Sequence, residues 1–330
     1  MKKVIVIGSN SFSGSNFIDL LLTDREYDVI GISRSAEKSK IFLPYKKNPH
    51  LFRYSFFQAD LNNEMNIVKE LLMDFQPAYI VNFAAQSEVA PSWDNPDQWF
   101  LTNAVAIAKL SNFLKDQQWL EKYVHISSPE VYGTCEGIVK EDAPLNPSTP
   151  YAASKAAGDF MLFSLARNYQ FPLVMIRSTN VYGAHQQLFK IIPRTVIYIK
   201  KGKKIELHGG GRAVKSYIHI NDISRGELAA MENGKPGAIY HLSPDNGVAI
   251  YEVVKIICRK MQVDFKSATK EVEERLGQDK AYVIDSGKAR KELGWHPAIK
   301  FGEGINEVVN WVNNYWNDIR KEPLDYVYKP

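Results

Sequence analysis

The chain opens with a strand, a glycine turn and a helix, a pattern typical of a parallel sheet that carries helices on both faces. Residues 2–8, KKVIVIG, are rich in β-branched side chains and end in glycine, so they predict a buried parallel strand. Apolar residues at helical spacing follow Gly14. The alternation then recurs, with helical stretches between strand-like segments at 27–35, 56–61, 78–86, 122–128 and 172–183.

This alternation predicts an α/β fold, a Rossmann-type doubly wound parallel sheet that binds ligands at the carboxyl ends of its strands. After Gly183 the strands become shorter, which predicts a smaller, interleaved C-terminal α/β lobe. We place the approximate boundary so that the lobes span 1–183 and 184–330. In the second lobe, Gly209–Gly211 separates two strand-like runs, which favours a hairpin turn over a phosphate loop.

The N-terminal turn resembles a dinucleotide site. Gly8 and Gly14 match its outer glycines, and Ser11 stands in the middle, where the cofactor approaches the backbone. The second strand ends with Arg34 where an NAD site usually carries an acidic residue, and a guanidinium suits a 2′-phosphate. We therefore expect NADP in preference to NAD. An ordinary strand-to-helix turn, and an Arg34 that stacks on adenine or faces solvent, are the alternatives.

Composition argues against several other classes of protein. The 330 residues have a net charge of +4 with both signs interspersed, and 45% are hydrophobic, so we expect a sizeable core and no nucleic-acid partner. Cys135 and Cys258 lie far apart, which argues against a disulfide scaffold or a metal site and favours a cytoplasmic protein. We expect Cys135 to be buried rather than a catalytic thiol. We expect no secretory signal and no membrane span.

Tyr151 and Lys155 stand four residues apart, directly after a strand-like segment. On a helix this spacing places both side chains on one face. An ammonium beside a tyrosine favours the phenolate, so the pKa of Tyr151 would fall from about 10 and its oxygen could take a proton from an alcohol. The spacing alone is also common on helix surfaces, and it is the position after a strand that favours a catalytic pair.

Several motifs together make the chain resemble the extended short-chain dehydrogenase/reductase family, in its nucleotide-sugar 4,6-dehydratase and epimerase branch. They are the glycine turn, NFAAQSEV, ISSPEVYG, YAASK, RSTNVYG, KSYIHINDI and ERLGQDKAYVIDSGKARKELGW, which cover nearly the whole chain. The resemblance implies a tightly bound NADP or NAD and a nucleotide-diphosphate sugar held by the second lobe. It also implies a homodimer formed through helices at 103–114 and 151–168.

The resemblance also implies catalytic roles. Tyr151 matches the base and Lys155 its partner at the cofactor ribose, Ser128 matches the residue at the sugar 4-hydroxyl, and Glu130 matches the base at C5. Oxidation at C4 acidifies C5–H, water leaves across C5 and C6, and hydride returned to C6 gives a 4-keto-6-deoxy sugar. Alternatively, Glu130 simply caps a turn or forms a salt bridge near a loop.

Pro129 departs from the dehydratase pattern, in which an aspartate protonates the leaving hydroxyl. Proline cannot donate a proton, so Glu130, a water or a neighbouring hydroxyl must do so, or the reaction is a different one. The alternatives are a nucleotide-sugar epimerase, a UDP-glucuronate-type decarboxylase, and a dinucleotide-binding redox sensor without catalysis.

Further contacts are implied residue by residue. Those expected at the substrate are Ser87, Asn180, Phe189, Ile192, Pro193, Lys215 and Arg275. Those expected at the cofactor, besides Tyr151 and Lys155, are Gly8, Asn10, Ser11, Phe12, Ser13, Gly14, Arg34, Asp60, Leu61, Ala84, Ala85, Gln86 and Asn103.

Overall fold

The computed structural model describes residues 1–23, 27–134, 137–273 and 283–328. Its strands are short and most are separated by helices. They are β1 (Lys2–Ile7), β2 (Tyr27–Ser33), β3 (Tyr54–Gln58), β4 (Tyr79–Asn82), β5 (Lys122–Ile126), β6 (Ile138–Val139), β7 (Leu173–Ser178), β8 (Asn180–Tyr182), β9 (Ile205–His208), β10 (Val214–Lys215), β11 (Tyr217–His219), β12 (Ala238–Leu242), β13 (Val248–Ala249), β14 (Thr269–Val272) and β15 (Val283–Ile284).

The helices follow the same alternation. They are α1 (Phe12–Thr23), α2 (Met65–Phe75), α3 (Val89–Asp94), α4 (Pro96–Phe100), α5 (Ala106–Leu114), α6 (Pro150–Tyr169), α7 (Ile191–Lys200), α8 (Ile220–Asn233), α9 (Ile250–Lys260), α10 (Phe265–Ala268), α11 (Gly287–Leu293), α12 (Phe301–Asn314) and α13 (Trp316–Ile319). A π-helical turn, Leu101–Val105, joins α4 to α5.

The main sheet has seven parallel strands in the order β12-β7-β5-β4-β1-β2-β3. β1 lies between β2 and β4, so the strand order reverses there and a crevice opens beyond the carboxyl ends of β1 and β4. The predicted doubly wound α/β sheet is confirmed. Residues 172–183 form two strands rather than one, because after β7 the chain leaves the main sheet and β8 pairs with β11.

Both faces of the main sheet are covered, which explains why its central strands are apolar throughout. Val4 and Val6 of β1 point to one face and join the cluster that includes Phe17 of α1. Ile5 and Ile7 point to the opposite face, where they pack with residues of α2, α5 and α6. This alternation follows from the two-residue period of a strand.

The C-terminal part of the chain interleaves with the main sheet. After β7 the chain leaves the main sheet to form β8 and α7, and it then returns so that β12 pairs with β7 at the edge of the main sheet. A third apolar core joins α7 to α9 and α12, which follow β12 in the chain. The chain between β7 and β12 therefore forms an excursion from one sheet. The boundary at residue 183 stays a prediction.

The hairpin predicted around Gly209–Gly211 is wrong. β9 pairs with β14 and β10 pairs with β13, so the strands that flank these glycines have different partners. The glycines instead form a 3-10 turn that lies against the start of α9. A Cβ at Gly211 would lie 2.9 Å from the backbone nitrogen of Tyr251, and this close approach explains the need for glycine there.

In the described part of the chain, no helix combines the length and the apolar character needed to cross a bilayer. The same residues contain no cluster of His, Cys, Asp and Glu suited to hold a metal ion. Cys258 is free and buried, while Cys135 lies outside the described residues. The cytoplasmic location stays a prediction.

Candidate active site

The turn between β1 and α1 is built for close backbone approach. Gly8 has φ +83°, and a Cβ there would lie 2.7 Å from the nitrogen of Ala84. A Cβ at Gly14 would lie 2.5 Å from the carbonyl oxygen of Gly8. Both positions therefore require glycine. The Ser11 hydroxyl accepts a hydrogen bond from Gly14 N at 2.9 Å, so the middle residue of the turn caps the first turn of α1.

A cleft with a volume of about 340 Å³ opens beyond the carboxyl ends of β1 to β4, the position expected for a ligand of this fold. It brings together many of the residues predicted for the cofactor, and two of those predicted for the substrate, Ser87 and Phe189. Phe12, Ser13 and Gly14 lie in α1 and are not part of its wall. The predicted cofactor residues in the wall are Gly8, Asn10, Ser11, Arg34, Asp60, Leu61, Ala84, Ala85 and Gln86.

Asn103 lies behind the cleft wall and is almost fully buried in the π-helical turn. Its Oδ1 accepts from the backbone nitrogen of Gln86 at 2.9 Å. Its Nδ2 donates to the Gln86 carbonyl at 2.9 Å and to the Ser154 hydroxyl at 3.0 Å. The side chain therefore holds the loop after β4 against α6, and its contact with a cofactor would be indirect.

The loop after β2 forms the end of the cleft where a dinucleotide site meets the adenosine ribose. Asn10 holds this loop, because its backbone nitrogen donates to the Ser33 hydroxyl at 3.0 Å and its Nδ2 donates to the Ser35 carbonyl at 2.7 Å. Arg34 and Lys38 both line the cleft there. This end of the wall is therefore cationic, as the sequence predicted for Arg34.

Helix α6 carries Tyr151 and Lys155 on one buried face. Thr149 caps the helix by accepting from Ala152 N at 3.1 Å, and Pro150 occupies the first turn, where its missing N–H costs nothing. The Tyr151 hydroxyl hydrogen-bonds Ser128. The Lys155 ammonium donates to the Ile126 carbonyl at 2.8 Å.

The lowered pKa predicted for Tyr151 is wrong in this structure. Burial raises the pKa of Tyr151 above its usual 10, the Glu130 carboxylate raises it further, and the Ser128 hydrogen bond offsets only part of the increase. The pKa of Lys155 is lowered to about 8 by burial, and Arg177 lowers it further while Asp159 acts in the opposite direction. The sequence shows the spacing of Tyr151 and Lys155 but not how deeply the two side chains are buried, and burial determines the direction of both pKa shifts.

A 3-10 turn, Pro129–Tyr132, places Glu130 beside Tyr151. Ser128 begins the turn, and its hydroxyl accepts from the backbone nitrogen of Glu130 at 3.2 Å. Pro129 is buried at the first position of the turn, where its fixed φ is favourable. Ser128, Glu130 and Tyr151 are thus brought together beyond the carboxyl end of β5, with Glu130 half-buried.

A buried charge network lies behind Lys155; we define it as Lys155, Asp159, Arg177, Tyr132 and His241. Asp159 is four residues after Lys155, and its Oδ2 accepts from Arg177 at 2.7 Å. Arg177 also donates to the Tyr132 hydroxyl at 2.5 Å, and that hydroxyl lies 2.7 Å from Nε2 of His241. Both charged groups of the Asp159–Arg177 pair are fully buried, so each depends on the other for charge compensation.

Two further side chains join this network to β5 and to the loop after it. The Ser127 hydroxyl donates to Asp159 at 2.7 Å. His125 Nε2 lies 3.4 Å from the Lys155 ammonium. The pKa of His125 is held well below its usual range by burial and by the charges of Lys155 and Arg177, so the imidazole is neutral.

The residues predicted for the nucleotide sugar do not all gather in the cleft. Ile192 and Pro193 are buried on α7, and Ile192 packs in the apolar core formed by α7, α9 and α12. Asn180 lies in β8, and its Nδ2 donates to the Ser216 carbonyl at 3.3 Å, while Lys215 lies half-buried in β10. Arg275 lies outside the described residues.

The cleft also contains residues that the sequence analysis missed. Glu88 lines the wall and pairs with Lys190 at 2.7 Å, which joins the loop after β4 to the segment before α7. Tyr326 and Val327 of the C-terminal tail line the same cleft. The last residues of the sequence, PLDYVYKP, are rich in aromatic side chains, but their sequence does not specify which surface they cover. The other missed residues in the wall include Lys38, Asn62 and Thr102.

The GDP-mannose 4,6 dehydratase family model matches residues 5–308, which is most of the chain. The chain belongs to this family. The family and the architecture agree with the resemblance drawn from the motifs, and the protein is an enzyme of the extended short-chain dehydrogenase/reductase type. The cleft fits a dinucleotide, because the β1–α1 turn and the loop after β2 both line it beyond the carboxyl ends of the strands.

Individual relatives support the same grouping. The chain is 28% identical to the dTDP-glucose 4,6-dehydratase of Haemophilus influenzae over 94% of its length and 98% of the relative's. It is 30% identical to the dTDP-glucose 4,6-dehydratase DesIV of Streptomyces venezuelae, solved with NAD bound, with a TM-score of 0.87 over 96% and 98% of the two chains. The UDP-glucose 4-epimerase of Thermotoga maritima shares the fold, with a TM-score of 0.86 at 22% identity over 95% and 99%.

Proposed function

We propose that the protein is a nucleotide-diphosphate-sugar 4,6-dehydratase that uses NAD or NADP. The observation that carries the proposal is the convergence of Ser128, Glu130 and Tyr151 beyond β5, in a member of a dehydratase family. A dehydratase needs a base at the 4-hydroxyl and a second base at C5, and these residues supply one of each.

Tyr151 would take the proton of the sugar 4-hydroxyl, with Ser128 holding the same oxygen. Burial opposes ionisation of Tyr151, so its phenolate needs a nearby cation, and Lys155 is the cation on the same helix face. When bound, NAD or NADP supplies the hydride acceptor for C4 and the hydride donor for C6.

Glu130 would act at C5, and we assign to it the task that Pro129 cannot perform. Its carboxylate takes the C5 proton and then delivers that proton to the 6-oxygen, so that the C6–O bond breaks and water leaves. A single carboxyl group that gives back the proton it took keeps the elimination balanced. Solvent then reprotonates Glu130, which returns a proton to C5 when hydride reaches C6. The half-buried position of Glu130 allows it to reach both a substrate and solvent.

The test is incubation with a panel of nucleotide sugars, read by mass spectrometry. Dehydration gives a product about 18 mass units lighter, whereas epimerisation conserves mass and decarboxylation removes about 44 units. Conserved mass with a new stereoisomer would replace the proposal by the epimerase alternative. Loss of about 44 units would replace it by the decarboxylase alternative, which Pro129 favours. Tyr151→Phe should lower kcat by at least about 100-fold, as loss of an acid–base group does. The exposed Tyr169 at the end of α6 offers the matched control, and Tyr169→Phe should leave kcat unchanged.

Two observations bear on the choice of cofactor. The NAD in the Streptomyces venezuelae relative favours NAD, whereas Arg34 and Lys38 at the ribose end favour the 2′-phosphate of NADP. We propose that the chain accepts both, with Arg34 giving NADP the advantage. Fluorescence titration measures the Kd of each dinucleotide. In Arg34→Ala, the ratio of the Kd for NADP to the Kd for NAD should rise by about tenfold. An unchanged ratio would remove Arg34 from this role.

We also propose a homodimer. Phe100, Val105 and Phe160 are 39%, 42% and 57% exposed on α4, the π-helical turn and α6, which supports an apolar contact between copies. Light scattering should give twice the monomer mass for the wild type, and Phe160→Glu should give a monomer. A monomeric wild type would refute the proposal.

A further inference from the structure

The C-terminal segment crosses between the two parts of the protein, and we name residues 324–328 the C-terminal strap. Leu324 packs against the C-terminal core formed by α7, α9 and α12. Four residues later, Tyr328 stacks on Trp99 of α4, with ring centroids 5.7 Å apart and an angle of 13° between the planes. Since five extended residues reach at most about 17 Å, the strap is short and held at both ends.

Between these two attachments the strap faces the cofactor cleft. Tyr326 and Val327 line the cleft together with Arg34, Gln187 and Phe189. The Tyr326 ring meets the Phe189 ring edge-on, with centroids 5.5 Å apart. Tyr326 is also within electrostatic range of Arg34, which places it toward the adenosine end of the cleft.

The residues behind Tyr326 extend this contact across the opening. The Lys190 ammonium lies 5.1 Å from the centroid of the Phe189 ring and pairs with Glu88 at 2.7 Å. Tyr326, Phe189, Lys190 and Glu88 therefore form one continuous line of contacts from the tail to the loop after β4. A ligand that lies beneath this line can leave on that side only after the line opens.

We propose that the C-terminal strap is part of the dinucleotide site and that Tyr326 slows release of the bound cofactor. The inference rests on the proposed function, in which one bound dinucleotide takes a hydride from C4 and later returns it to C6. Loss of the dinucleotide between these steps would leave an oxidised sugar and no product. An aromatic ring over the adenosine half adds a contact that must be broken before the cofactor leaves.

The test measures cofactor release without any sugar. Protein loaded with NADH, and separately with NADPH, is mixed with an excess of the oxidised dinucleotide, and the loss of bound-cofactor fluorescence gives the dissociation rate. Tyr326→Ala and truncation after Pro323 should each raise this rate by about tenfold or more. Tyr326→Phe, which keeps the ring, should stay close to the wild-type rate.

Matched controls separate the strap from general damage. Asp325→Ala changes an exposed residue of the same strap and should leave the rate unchanged. Tyr328→Ala removes only the attachment to Trp99 and should raise the rate, and the thermal midpoint of each variant reports whether it is folded. If folded Tyr326→Ala and the truncated chain both release the cofactor at the wild-type rate, the proposed role of the strap is wrong and the proposed function stands. Failure of the wild type to bind either dinucleotide would overturn both the strap and the proposed function.

Discussion

The two parts of the candidate active site, the β1–α1 turn and the buried charge network, are built in different ways. At the β1–α1 turn the wall is backbone, and Gly8 and Gly14 let β1, α1 and the loop after β4 come together without side chains between them. Behind Lys155 the support is the opposite, a set of fully buried charged and polar side chains centred on Asp159 and Arg177. The geometry of the turn depends on glycines that have no side chain. The stability of the network depends on the pairing of buried charges.

This difference decides how the turn and the network each tolerate substitution. The glycine turn loses its geometry when a single methyl group is added, because that group meets backbone atoms of the turn itself or of the loop after β4. In the buried charge network, removing one partner leaves the other ionised and desolvated. We therefore expect the network to be the more sensitive region for stability, and the turn to be the more sensitive region for cofactor binding.

The strongest test of the comparison is Asp159→Asn. The substitution keeps the size of the side chain but leaves Arg177 charged and fully buried, so the free energy of unfolding should fall by about 3–5 kcal/mol. Urea denaturation followed by circular dichroism measures the loss. Asp97→Asn, at an exposed aspartate of α4, is the control and should cost less than about 0.5 kcal/mol. A loss below about 1 kcal/mol for Asp159→Asn would contradict the comparison.

A smaller effect is expected from Gly8→Ala. The residue combines φ +83° with a Cβ position 2.7 Å from Ala84 N, so strain and steric overlap together should lower the free energy of unfolding by about 2–4 kcal/mol. Gly202 has φ +63° and open space around its Cβ position, so Gly202→Ala isolates the strain and should cost about 1 kcal/mol. Calorimetric titration should show weaker dinucleotide binding for Gly8→Ala only. Equal losses in both variants would show that close approach contributes nothing.

The smallest effect is the contribution of Lys155 to the pH dependence of stability. The pKa of Lys155 is about 8 in the folded protein and 10.5 in the reference state, so between these values the unfolded chain binds more protons. Stability from this group therefore rises with pH across that window, by up to about 1.4 kcal/mol per pH unit. The difference between the wild type and Lys155→Met, measured by denaturation from pH 7.5 to 9.5, isolates the term. Parallel profiles would mean that Lys155 is not desolvated.

The same contrast explains what the sequence could predict. Gly8 and Gly14 lie six residues apart between a strand-like run and a helical run, so local sequence predicted a dinucleotide turn, and the apolar strands predicted the parallel sheet. Only the folded chain brings together the members of the buried charge network, which are Tyr132, Lys155, Asp159, Arg177 and His241. The depth of Tyr151, and with it the direction of its pKa, depends on the same packing.

Local sequence also failed to predict several features that depend on distant parts of the chain. The glycines at 209–211 look like a hairpin turn because local sequence cannot specify that β9 will pair with β14 across some sixty residues. The role of Ser11 as a cap of α1 was missed because the sequence was compared with a three-glycine pattern. The position of Tyr326 in the cleft could not be predicted, because the other residues of the cleft wall come from distant parts of the chain.

The position of β12 has a consequence for how the chain is made. β12 completes the edge of the main sheet beside β7, yet it is translated only after the whole excursion through α7, β9, β11 and α8. During synthesis on the ribosome, the outer edge of β7 therefore has no pairing strand until residue 242 has left the exit tunnel. Fragments that stop near residue 183 expose this unpaired edge and are expected to associate rather than fold.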